Sequence, residues 1–68
     1  MSKRDWIERI KASLPAGYKR FEDIERDRRL KDPERLELLE AWPAKDDFER
    51  GRLATAMLAI RERIDGRV

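Results

Sequence analysis

Residues 46–66, DDFERGRLATAMLAIRERIDG, decide the architecture of this chain. Two aspartates and Glu49 open the stretch, Arg61 and Arg63 sit near its end, and Gly66 closes it. Acids at the start and bases at the end suit the helix dipole, and a glycine after the last apolar residue is a stop signal. The pattern predicts one helix from Asp46 or Asp47 to Ile64. At about 100° per residue, Leu53, Met57, Ile60 and Ile64 share one line of that helix. Phe48, Gly51, Thr55 and Leu58 share the opposite line, with Ala59 beside them. Each line matches a short heptad seam. Glycine inside a helix costs about 1 kcal/mol relative to alanine, so Gly51 asks for a packing reason. The second seam is small enough for another helix to approach closely.

Working outward, three shorter helices precede this one. Ser2 is an N-cap for a helix from Lys3 to Leu14, whose apolar stripe is Trp6, Ile7, Ile10 and Leu14; Pro15 and Gly17 end it. A second helix is expected from Lys19 to Leu30, with Tyr18, Phe21 and Ile24 on one face and Arg28 at the next position along it. Acid-before-base pairs Glu22–Arg26, Glu25–Arg29 and Asp27–Lys31 would support it. A third begins with Asp32 as N-cap and Pro33 in its first turn, carries Leu36, Leu38, Leu39 and Trp42, and stops at Pro43. The expected fold is all-α: a small three- or four-helix bundle, one domain over 1–68, with the long C-terminal helix as its spine. Short helices can hardly cover both lines of that spine.

Sixty-eight residues lie near the lower size limit for folding alone, and the chain has neither cysteine nor histidine. No disulfide, thiolate metal site or imidazole base can therefore be built. The hydroxyls of Ser2, Ser13, Tyr18 and Thr55 have no histidine to activate them, and the three glycines form no phosphate loop. The expectation is a protein without catalytic residues, metal, cofactor or small-molecule substrate. The longest charge-free apolar run, LATAMLAI, is far short of the ~20 residues that cross a bilayer, so a cytoplasmic rather than membrane location is expected.

Charge is dense but balanced, with 17 basic and 15 acidic residues. Residues 1–31 carry a net +4 and residues 32–68 a net −2. A helix-turn-helix across the second and third helices fails on this count. Its recognition helix would begin with Asp32 and Glu34 and carry Glu37 and Glu40, which phosphate walls repel.

Two functions of different kinds follow. The first is association with another protein or a second copy of this chain, through Phe48, Gly51, Thr55, Leu58 and Ala59, with Trp42 as a further anchor. Adaptors, accessory subunits and inhibitors of larger assemblies, including small phage proteins, fit that description. The alternative is a nucleic-acid regulator using Lys11, Lys19, Arg20, Arg28 and Arg29 on the first two helices.

Overall fold

The computed structural model describes residues 2–66. Among them are four helices and no strand: α1 (Lys3–Ser13), α2 (Phe21–Arg26), α3 (Asp32–Ala41) and α4 (Asp47–Asp65). The all-α fold with a long last helix is the one the sequence predicts.

The caps explain most boundaries. The Ser2 hydroxyl accepts the Asp5 N–H at 3.2 Å and starts α1. Asp46 accepts the Glu49 N–H at 2.7 Å and starts α4. At the far end, the Gly66 N–H donates to the Glu62 carbonyl at 2.8 Å. Between α1 and α2, Gly17 takes φ +92°, a value that favours glycine.

The hub is α3, not α4. All three other helices pack on α3, and α4 does so most extensively. The reason lies in the side chains. Leu36, Leu38, Leu39 and Trp42 point α3 in several directions, whereas α4 offers inward only Leu53, Ala56, Met57, Ile60 and Ile64. The core proper is Ile7, Phe21, Ile24, Leu30, Leu38, Leu39, Trp42, Leu53, Ala56 and Ile60. The body is a slab of 35 × 33 × 15 Å. A molecule this thin has little interior, and its helices keep faces in water.

Two local expectations are corrected. α2 stops at Arg26 instead of running to Leu30, because Asp27 turns the chain. Its carboxylate accepts the Arg29 backbone N–H at 2.9 Å, the Arg29 guanidinium at 2.7 Å and the Tyr18 hydroxyl at 2.8 Å. An aspartate that binds the backbone two residues on competes with helix. Arg28 is left exposed off the end of the stripe, and Leu30 turns into the core. The acid-before-base pairs of a longer helix give way to Arg29–Asp27 and Arg52–Glu22.

The second correction concerns Asp32. It is not the cap of α3 but its first residue. Its side chain is buried, accepting Arg35 at 2.8 Å and Arg63 at 3.1 Å. It thereby ties the start of α3 to the end of α4. The helix start is held instead by Glu34, which accepts the Lys31 N–H at 2.7 Å.

Candidate protein-interaction face

The inner stripe of α4 packs on α3, and the outward side of α4 stays largely exposed among the described residues. On that outward side Phe48 is 75% exposed and Leu58 56% exposed. Gly51, Ala54, Thr55 and Ala59 are exposed with them. The Thr55 hydroxyl donates to the Gly51 carbonyl at 3.1 Å, so its polar atom is served within the helix. A Cβ at Gly51 would meet nothing within 4 Å. Among the described residues no packing contact therefore requires glycine there. The five α4 residues expected to form a contact surface thus share the free side of one rigid helix.

Trp42 does not join them. It is buried, and its indole N–H donates to Glu49 at 3.1 Å. Its place just before Pro43 brings it onto the core side of the α3–α4 connection, where a large apolar ring with one satisfied polar atom is stable.

Sequence spacing gave no sign of what flanks the face. A shallow groove of about 390 Å³ runs between α2 and α4, lined by Phe21, Glu22, Glu25, Arg52, Thr55, Ala56 and Ala59. Arg52 organises its edge. It pairs with Glu22, and its guanidinium lies 5.5 Å from the Phe21 ring and 5.8 Å from the Phe48 ring. Phe21 lies far from α4 in sequence, so only the tertiary fold reveals this neighbour.

The five basic residues of the alternative reading do different things. Lys11 donates to Glu37 at 2.8 Å, and Arg29 is held by Asp27 while stacking 4.9 Å over the Trp6 ring. Lys19 and Arg20 border a second cleft, of about 450 Å³, together with Trp42, Lys45, Glu49 and Arg52. Arg28 is exposed.

The shifted ionisations lie elsewhere than on the outward face of α4. Hydrogen bonds from Arg4, then Lys11, hold the Glu37 carboxyl down to about 2. The Arg29 guanidinium holds Asp27 well below the usual carboxylate range. Arg63, then Arg35, lower Asp32. Burial, with the hydrogen bond to Asp27, pushes the Tyr18 hydroxyl up to about 12. These groups take part in ion pairs and hydrogen bonds within the fold. Among the described residues no acidic group is arranged to hold a metal ion, and no helix is long and apolar enough to cross a membrane.

Comparison of the chain with protein families, with curated proteins and with solved structures finds no match. The functional reading therefore rests on the geometry of this face.

Proposed function

We propose that this chain is a non-enzymatic protein-interaction module working through the outward face of α4. The observation that carries the reading is the exposure of Phe48 and Leu58 on one side of a helix whose other side is already packed. Each large side chain gains roughly 1.5–3 kcal/mol when it leaves water completely. Two such residues on a stiff, 19-residue helix, separated by small ones, present an anchor pair with little conformational entropy to lose. Arg50, Arg61 and Glu62 border the strip and would set orientation rather than strength. An adaptor, an accessory subunit or an inhibitor would use such a face in the same way.

The test is Leu58→Asp. Its site is half in water, so helix content and melting temperature should stay close to the parent's. Association, followed by light scattering and by co-purification, should be lost. Association unchanged by Leu58→Asp and by Phe48→Asp would overturn the reading.

A second reading, nucleic-acid binding, is favoured by one observation: Lys19, Arg20, Lys45 and Arg52 outnumber Glu22 and Glu49 around the cleft beside Trp42. Phosphate-driven binding weakens steeply with salt. Absence of any DNA or RNA binding at low salt would remove it.

A further inference from the structure

We infer that the partner of the α4 face is a second copy of this chain, with the two α4 helices packed antiparallel about a two-fold axis between Ala54 and Thr55. The inference rests on the reading of that face as a contact surface, and it adds the occupant and the register.

Three features of one chain complement one another when the chain is paired with itself. The first is Gly51. Glycine is a poor helix residue, and no neighbour in the fold demands it. Leu58 lies seven residues away on the same side and is 56% exposed. An antiparallel pair with its axis between Ala54 and Thr55 sets Leu58 of each copy over Gly51 of the other. The missing side chain becomes the hole for the knob.

The second feature is Phe48 with the groove. A two-fold contact is isologous, so each flank of α4 meets the same flank of its mate. Phe48 and Ala59 lie on one flank, towards α2. In the register set by Leu58 and Gly51, the second copy's Phe48 arrives within about 3 Å, along the axis, of Ala59. There the groove floored by Phe21, Ala56 and Ala59 is open to receive a ring. One register thus satisfies both the knob and the ring.

The third is charge. The Asp47 side chain is 95% exposed at the start of α4, where it accepts Arg50 at 3.1 Å. Arg61, near its end, is 57% exposed and only loosely paired with Glu40 at 3.7 Å. Antiparallel packing sets Asp47 of one copy level with Glu62 of the other and about 1.5 Å along the axis from Arg61, twice, so that with Arg50 the ends of the seam meet with balanced charge. A parallel pair would instead set Gly51 on Gly51, Phe48 on Phe48 and Asp47 on Asp47, leaving a void and like charges. A single helix pair covers less than the ~800 Å² per partner of a standard interface, so the dimer should dissociate on dilution.

Sedimentation equilibrium across concentration should show the mass rising from 8.2 kDa towards twice that value. Gly51→Leu fills the hole. It should weaken the dimer about tenfold or more while leaving the fold as stable or more so, since leucine is the better helix former and its Cβ would meet nothing within 4 Å there. Because the chain has no cysteine, pairing can be read without background. Oxidation of a Gly51→Cys, Leu58→Cys double variant should give a covalent dimer efficiently, and Leu58→Cys alone should not. A monomer at every concentration overturns the inference. A dimer abolished by Gly51→Leu but cross-linked through Leu58→Cys alone overturns the antiparallel register and leaves the α4 face standing. A dimer indifferent to Gly51→Leu and Phe48→Ala overturns both.

Discussion

Replacing Glu37 by glutamine should loosen α1 from α3, in a way that depends on pH. Glu37 lies on α3 and accepts from two cations of α1: Lys11 at 2.8 Å and Arg4 at 2.9 Å through Nη1. These hydrogen bonds hold its carboxyl at about 2, against an ordinary 4.5. A difference of that size corresponds to roughly 3 kcal/mol of preference for the charged form in the fold. Glu37 is 29% exposed and both cations reach water, so screening brings the useful part to about 1–2 kcal/mol. In a chain of this size Glu37→Gln should lower the melting temperature by about 5–15 °C at neutral pH. The folded carboxyl titrates lower than the unfolded one. Its contribution is therefore complete above about 4.5 and is lost as pH falls towards 2. Thermal melts by circular dichroism of parent and variant should be well separated at neutral pH and should converge near pH 2. High salt should also narrow the gap. Equal melting temperatures at neutral pH, or a gap that persists at pH 2, would refute the proposed role of this ion pair.

Asp32→Asn leaves Arg35, largely buried, without its anion, and should cost about 2–3 kcal/mol in urea unfolding; a loss under 0.5 kcal/mol would contradict the clamp. Ile60→Ala opens a cavity at a fully buried site and should cost about 2–5 kcal/mol, enough to unfold much of so small a domain, whereas Leu58→Ala on the same helix should stay within about 0.5 kcal/mol in the monomer. Asp46→Ala removes the 2.7 Å cap of α4 and should cost about 1 kcal/mol, with hydrogen exchange rising first in residues 47–50.

The sequence already displayed what is local. Ser2, Asp46 and Gly66 cap through their immediate neighbours, and the two lines of α4 follow from spacing alone. What it hid was decided by partners distant along the chain. Asp32 resembled a cap because a cap is the commonest use of aspartate before a proline. It is instead held by Arg63, from the other end of the next helix. Asp27 resembled one member of an i,i+4 pair, yet Tyr18 and the backbone of Arg29 claim it and end α2. The role of α3 as hub was implicit in its wide apolar arc. At the candidate face the exposed line of α4 was legible, whereas the groove beside it needs Phe21, which no spacing rule connects to Ala59.

The most direct test is residue-resolved nuclear magnetic resonance of the chain over a wide concentration range. Signals of Phe48, Gly51, Leu58 and Ala59 should move as concentration rises, while those of Ile7, Leu38 and Ile60 stay fixed. Shifts confined to any other surface, or none at the highest attainable concentration, would contradict the assignment of α4's free side as the place where a second copy binds.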